Sequence, residues 1–191
     1  MNFKYFNTIL IVLLVCNVSA FAQKRKNNID KEFPTSIAFP YSYLGDYSGN
    51  LRVSNNTGAI ANIPTEFALR ATDKKEEFVY TITYIKGKDK KEVNTYTIFI
   101  LDEEKGFYAI ADNTGLQFTA TLIDNTLFST FEINNNIMFT ALEFTNSGKV
   151  KLNIMLSEKI NNTRTKELKI DEARSSNVIL VQKAVLSKLY K

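Results

Sequence analysis

The sequence predicts an all-β protein, an up-and-down antiparallel barrel of about ten strands. From Leu44 onward, apolar and polar residues alternate with a period of two, which is typical of strands with one buried face. Short connections rich in Asn, Asp and Gly separate these segments, and such residues tolerate the positive φ values of tight hairpins. A two-sheet sandwich is the alternative architecture for the same pattern.

The residues before this alternation have the pattern of an export signal. Lys4 supplies a positive charge, residues 9–15 form an unbroken apolar run, and residues 20–22 have the small-x-small pattern that a signal peptidase requires. The apolar run is much shorter than the roughly 20 residues that span a bilayer, so no stable transmembrane segment is expected.

The signal divides the chain into three parts. We expect residues 1–22 to be a signal peptide cleaved near Ala22, residues 23–40 to be a flexible leader, and residues 41–191 to form one exported domain, periplasmic or secreted. Cys16 is the only cysteine, and the residues before it resemble a lipobox, so a lipid anchor through Cys16 is the alternative. Cleavage near Ala22 would leave a domain without cysteine, stabilised by core packing and not by disulfides.

The composition narrows the classes of function. The chain contains no histidine, which rules out the usual nitrogen and sulfur metal sites in a mature domain and removes the usual general base for serine or cysteine nucleophiles. Removal of residues 1–22 takes away one lysine and leaves a net charge near +3. The basic residues form no continuous stripe, and we expect neither a nucleic-acid partner nor a metal site nor a catalytic constellation.

The first strand begins near Leu44, where Tyr47, Gly49 and Leu51 share one face. Short turns join it to eight further strands, which must therefore be neighbours in one sheet, and pairing of the first strand with the last hides both edges. A long polar connection over residues 158–177, a flap or a short helix near 167–173, precedes the tenth strand. The later strands are expected after Pro64 and over residues 78–85, 93–101, 107–111, 116–123, 126–133, 137–145, 150–156 and 178–186.

The opening Gly45-x-Tyr47-x-Gly49 resembles the Gly-x-Trp start of the calycin group, which comprises lipocalins, fatty-acid-binding proteins and nitrobindin-like barrels, with tyrosine in place of tryptophan. The chain is also similar to small exported lipocalin-like proteins of no assigned function. In the calycin group an aromatic residue plugs one barrel end and a basic residue from a late strand packs over it. The resemblance implies closure through Gly45 and Tyr47 with Gln182 or Lys183 as the cover. Such a cation–π contact contributes about 0.5–2 kcal/mol.

The same resemblance and the strand number favour ligand binding. A barrel of about ten strands encloses more space than its side chains usually fill. We expect a non-enzymatic barrel that binds a small apolar or amphipathic molecule. Nitrobindin-like barrels hold haem through a histidine, which is missing here, so no cofactor is expected. With the more apolar face of each strand inward, the lumen is lined chiefly by Tyr47, Leu51, Phe67, Leu69, Tyr80, Ile82, Phe118, Leu122 and Phe131.

Two other functions are compatible with this pattern. One is an interaction module, of the cell envelope or secreted, whose filled barrel displays loops, and the other is a lyase or isomerase that works from barrel tyrosines and a carboxylate.

The direction of several polar side chains bears on these alternatives. The tyrosines 80, 84, 96 and 108 either offer hydroxyls to a ligand or pack across strands with their hydroxyls at the rim. Arg70 and Glu132 are predicted to point outward, whereas the pattern leaves the direction of Glu143 open. The sequence does not fix the oligomeric state.

Overall fold

The protein is an all-β barrel in a computed structural model that describes residues 39–88, 90–159 and 176–190. Every strand is antiparallel to its sequence neighbours, and β10 pairs with β1, so that the sheet closes on itself. The predicted up-and-down barrel is therefore confirmed, and the sandwich is not formed. The strands are β1 Gly45–Asn55, β2 Gly58–Ala71, β3 Glu77–Ile85, β4 Lys91–Asp102, β5 Phe107–Asp112, β6 Gln117–Ile123, β7 Thr126–Ile133, β8 Asn136–Thr145, β9 Lys149–Glu158 and β10 Asn177–Lys188.

Some of the predictions lie outside the described residues. These are the signal peptide, the lipobox at Cys16, the leader as far as residue 38, and the short helix near residues 167–173. Within the part of the chain that is described, no helix is long and apolar enough to cross a membrane.

The chain enters the barrel earlier than predicted. Phe39 and Pro40 were assigned to the flexible leader, but both are buried. Phe39 packs edge-on against the Tyr108 ring at 5.3 Å and lies 5.1 Å from the Phe144 ring. A 3-10 helix, Tyr41–Tyr43, follows and leads into β1. The domain therefore includes Phe39 and Pro40, because these side chains fill the barrel end at which β1 starts.

This barrel end, which we call the closed end, is formed by the β2–β3, β4–β5, β6–β7 and β8–β9 turns. Its interior is a continuous aromatic cluster: Tyr43 lies 5.1 Å from Phe144, and Phe67 lies 6.3 Å from Phe144 and 5.8 Å from Tyr47, measured between ring centroids. The Tyr47 hydroxyl donates a hydrogen bond of 2.6 Å to the Tyr43 carbonyl oxygen. The interior at this end is thus packed solid.

The residue that covers Tyr47 differs from the prediction. In the β1–β10 ladder Lys183 lies opposite Arg52 and Gln182 opposite Val53, several residues away from Tyr47. Lys183 also belongs to the outward-facing set of β10 and is exposed. The prediction was wrong because β10 continues past Leu186 to Lys188, which places Lys188 and not Lys183 opposite Tyr47.

Gly45 allows this cover to approach. A Cβ atom at Gly45 would lie 2.8 Å from Cε of Lys188, and the φ of Gly45 is +148°. The part of the closure prediction that assigned Gly45 and Tyr47 to the barrel end is therefore consistent with the geometry. The lysine stem crosses β1 where only a glycine leaves room for it.

β2 begins earlier than expected, at Gly58, and contains Pro64. The β2–β3 ladder starts only at Thr65, so residues 58–64 are hydrogen-bonded to β1 alone. A proline has no N–H to donate and is tolerated where one side of its strand is unpaired. The proline therefore does not mark the start of the strand, as the sequence suggested.

The charged residues within strands lie on the outer surface. Arg70 and Glu132 are exposed, as predicted. Glu143, whose direction the pattern left open, is 40% exposed, and its Oε1 lies 2.8 Å from Nζ of Lys151 on β9. No charged side chain from this set enters the barrel.

The hairpin turns use the residues expected of them. Asp124, Asn134 and Asn135 have φ values of 54°, 48° and 61°, in the left-handed region that Asn and Asp tolerate. Such tight connections leave no room for crossovers, so sequence order and strand order in the sheet are the same.

Candidate ligand-binding cavity

A cavity of about 200 Å³ occupies the barrel interior away from the closed end. It is lined by residues of β3 to β9 and reaches the opposite barrel end, formed by the β1–β2, β3–β4, β5–β6 and β7–β8 turns, which we call the cavity end. Leu116, Phe131 and Ile133 line it there and are partly exposed. The interior of the barrel is therefore divided into a packed half and a hollow half.

Two stacked aromatic pairs form much of the cavity wall. Tyr80 on β3 and Tyr96 on β4 are directly opposite in the ladder, and their rings stack with centroids 4.8 Å apart and planes 16° apart. Phe118 on β6 and Phe131 on β7 stack with centroids 4.2 Å apart, also at 16°. Stacked pairs of this kind present flat apolar surfaces, which suit a planar or chain-like apolar ligand.

The predicted lumen residues fall into three groups. Tyr80, Ile82, Phe118 and Phe131 line the cavity. Leu122 is partly buried and packs against the core without lining the cavity. The remaining residues point into the barrel as predicted but are buried towards the closed end and outside the cavity wall, so the prediction that they line the ligand-binding part of the lumen was wrong; these are Tyr47, Leu51, Phe67 and Leu69.

Sequence reasoning missed most of the wall contributed by later strands. Met138, Thr140 and Leu142 on β8 and Leu152 and Ile154 on β9 all line the cavity. The alternation in these strands already separates the two faces, since Met138, Thr140 and Leu142 share one parity. What the alternation does not provide is the height of each residue along the barrel axis.

Asp112, the last residue of β5, also lines the cavity, and it is partly exposed. Its Oδ1 accepts hydrogen bonds from the backbone N–H groups of Thr114 at 2.8 Å and Leu116 at 2.9 Å, and the Thr114 hydroxyl lies within 2.9 Å of both carboxylate oxygens. Hydrogen bonding, first from the Thr114 side chain, lowers the pKa of Asp112 below its usual value. The group is therefore ionised at neutral pH.

The tyrosine hydroxyls of the cavity keep their protons. Burial, with smaller effects from Tyr96 and Tyr84, raises the pKa of Tyr80 well above its usual value, and burial followed by the charge of Asp112 raises that of Tyr96. Within the described residues, neither hydroxyl makes a hydrogen bond to a protein group. Both are therefore available to a ligand.

The four candidate tyrosines do not act as one set. Tyr80 and Tyr96 line the cavity, whereas Tyr108 is buried and packs against Phe39 towards the closed end. Tyr84 is partly buried, next to the cavity on β3 but outside its wall. The hypothesis that tyrosines offer hydroxyls to a ligand is therefore restricted to Tyr80 and Tyr96, whereas Tyr108 is a packing residue.

The other polar contact in the wall is internal. The Thr140 hydroxyl lies 2.5 Å from the hydroxyl of Ser129, and the two residues face each other across β7 and β8. Among residues 39–88, 90–159 and 176–190 no three acidic, histidine or cysteine side chains gather as metal ligands do. The polar chemistry that the cavity offers is two phenols, one carboxylate and one partnered hydroxyl.

Comparison with known proteins gives a likeness of fold. No family model matches the sequence, and no curated protein matches it. Among solved structures, the chain is similar to the S-type phycobiliprotein lyase CPES from Guillardia theta, with a TM-score of 0.55 and 6% identity, over 78% of this chain and 89% of that chain. At this identity the likeness concerns the barrel fold alone.

Proposed function

We propose that the protein is an exported, non-enzymatic, lipocalin-like barrel that binds a small, largely apolar molecule in the cavity. The observation that carries this proposal is the hollow half of the barrel, about 200 Å³ walled by two stacked aromatic pairs. An apolar cavity of about 150 Å³ in a protein core binds benzene. The volume here suits a ligand of one or two rings or a short chain, and a longer molecule would extend through the cavity end.

The interaction-module alternative assumes a filled barrel. The cavity is inconsistent with a barrel that is completely filled by its side chains, because well-packed interiors hold few voids larger than a water molecule. An apolar void also lacks the dispersion contacts that a side chain would supply. A ligand that fills the cavity regains those contacts. The cavity therefore favours ligand binding over an interaction module with a filled barrel.

Indole is a suitable probe of this proposal. The protein contains no tryptophan, so the fluorescence of added indole is observed without an intrinsic indole background. We expect saturable binding to the wild type, and at least tenfold weaker binding to Ile154→Phe, which places extra volume inside the cavity wall. The matched control is Val185→Phe, which adds similar bulk at an exposed position of β10 and should bind as the wild type does. Absence of saturable binding, or equal affinity in all three proteins, would refute the proposal.

Export is supported by the N-terminal pattern. The intact mass and N-terminal sequence of protein recovered from producing cells distinguish the two possible products. Cleavage after Ala22 gives a chain that begins at Gln23, whereas lipid anchoring gives a chain that begins at an acylated Cys16. A chain that retains Met1 and remains inside the cell would contradict both.

A lyase is the second candidate, and one observation favours it: a solved structure with a similar barrel fold is named a lyase. Catalysis here would depend on the phenols of Tyr80 and Tyr96 and the carboxylate of Asp112. If the protein only binds its ligand, a ligand that co-purifies with the protein should be recovered chemically unchanged after prolonged incubation. Mass spectrometry of the released ligand measures this directly, and a protein-dependent change of mass, lost in Asp112→Asn, would favour the lyase.

A further inference from the structure

We propose that the ligand is a cation, namely a protonated amine. Its apolar body lies in the cavity between the two stacked aromatic pairs, and its ammonium group lies at Asp112. This inference rests on the proposed function, since it names the chemical class of ligand for the same cavity. Asp112 is the only charged residue among those that line the cavity in the described part of the chain. A ligand that reaches the cavity end would therefore meet one negative charge.

The position of Asp112 follows from the strand pattern. It shares the inward-facing parity of Tyr108 and Ile110 on β5, and in the ladder it lies directly opposite Tyr96. The carboxylate thus stands beside an aromatic ring that is itself part of the cavity wall. A carboxylate with an adjacent aromatic face is the combination that binds organic ammonium ions, through charge and through cation–π attraction.

The carboxylate retains acceptor capacity. Oδ1 accepts the backbone hydrogen bonds of the β5–β6 turn, while Oδ2 has one contact within the described residues, the Thr114 hydroxyl at 2.9 Å. An ionised carboxylate offers about four acceptor positions. An ammonium donor therefore reaches Oδ2 without displacing the bonds that hold the turn.

A comparison within the same barrel shows what Asp112 lacks. Asp102, the last residue of β4 at the closed end, also accepts a backbone hydrogen bond from the turn that follows it, and it has a cationic partner, with Nζ of Lys105 at 2.5 Å from Oδ2. Among the described residues no lysine or arginine forms an ion pair with Asp112. The turn supports the carboxylate in both cases, and the two differ in that Asp102 has a lysine partner among the described residues.

Among the described residues, no lysine at the cavity end forms an ion pair with Asp112; Lys88 and Lys90, in the β3–β4 turn, are exposed and form no ion pair at all, and two others have partners of their own. Lys86 forms an ion pair with Glu92, and Nζ of Lys91 lies 3.6 Å from a carboxylate oxygen of Glu66. An anionic ligand in this cavity would also bring its charge towards Asp112, and like charges at close range destabilise each other. Since Asp112 is the charged residue of the described cavity wall, it favours a positive head group there.

Three indole derivatives of nearly equal size test the charge directly: tryptamine is cationic, tryptophol is neutral and indole-3-propionate is anionic at neutral pH. We expect tryptamine to bind the wild type at least tenfold more tightly than tryptophol, and indole-3-propionate to bind most weakly. Asp112→Asn keeps the size of the side chain and an oxygen acceptor for the turn while it removes the charge. It should lower tryptamine affinity at least tenfold and leave tryptophol affinity unchanged.

Asp102→Asn is the matched control, because it removes the same charge from a similar turn at the closed end, and it should leave all three affinities unchanged. Equal binding of tryptamine and tryptophol by the wild type, or an equal loss in both aspartate variants, would overturn the inference while indole binding still supported the proposed function. Binding of none of these compounds, indole included, would overturn both.

Discussion

Nζ of Lys188 lies 5.8 Å from the centroid of the Tyr47 ring, so the last strand of the barrel places a cation over an aromatic residue of the first. The two residues are directly opposite in the β1–β10 ladder. The contact therefore joins the first and last strands at the seam where the barrel closes. It combines a cation–π interaction with packing of the lysine stem over Gly45.

Replacement of Lys188 by Met should lower the free energy of unfolding by about 0.5–1 kcal/mol, because it removes the charge over the ring and keeps an apolar stem. Lys183→Met is the matched control on the exposed face of the same strand, and we expect a change below about 0.5 kcal/mol there. Urea denaturation of the two variants measures both. A larger loss for Lys183→Met would restore the original assignment of the cover.

Tyr47→Ala should destabilise the barrel by about 3–5 kcal/mol, the range for removal of a buried aromatic side chain. Tyr47 is 2% exposed and contacts Phe67 in the closed end. Tyr47→Phe separates the two contributions, since it removes only the hydrogen bond to the Tyr43 carbonyl and should cost about 1 kcal/mol. Thermal and urea unfolding report both values, and an unchanged Tm for Tyr47→Ala would contradict the role of this residue as a plug.

Gly49→Ala should disturb the pairing of β1 with β10. A Cβ atom there would lie 2.4 Å from the carbonyl oxygen of Val185. Because this oxygen belongs to the backbone, a change of side-chain rotamer does not relieve the clash. We expect a loss of about 1–3 kcal/mol from the forced shift. Gly87→Ala is the control, because among the described residues no atom beyond its chain neighbours lies within 4 Å of the added methyl group, and its unfolding midpoint should stay the same or rise slightly. Similar losses in both variants would contradict the proposed clash.

The fold was predictable because alternation and turn chemistry are local properties. Tyr80 and Ile82 were placed in the lumen correctly from parity alone. Phe67 and Leu69 have the same inward direction but lie in the packed half, because Phe39 and Tyr43 come from a segment without strand pattern and fill that end. Such a plug is a tertiary contact between residues far apart in sequence. The alternation of apolar and polar residues along a single strand does not reveal it.

Lys188 and Asp112 were missed for related reasons. The register between β1 and β10 depends on where the last strand ends, and the apolar pattern fades after Leu186 although pairing continues to Lys188. Asp112 looked like an ordinary turn residue, and it is one, since it accepts the hydrogen bonds of the β5–β6 turn. Its second role follows only from the opposite position of Tyr96, which the sequence does not show.

Tyr84 should make the protein less stable at high pH. Burial, with smaller effects from the charges of Tyr96 and Glu92, raises the pKa of Tyr84 to about 12. In an unfolded chain a tyrosine loses its proton near pH 10. Below about pH 10 both states are protonated, whereas between about pH 10 and 12 only the folded state holds the proton, so a rise in pH favours unfolding.

Tyr84→Phe removes this titration and should flatten the fall of stability over that interval by up to ~2 kcal/mol. Tyr190→Phe is the matched control, because it removes the same hydroxyl from a tyrosine that is 83% exposed, and its stability curve should run parallel to that of the wild type. Urea midpoints at several pH values between 9 and about 12, together with the phenolate absorbance of the folded protein, provide the measurement. Parallel stability curves for wild type and Tyr84→Phe would show that the folded and unfolded chains release this proton at the same pH.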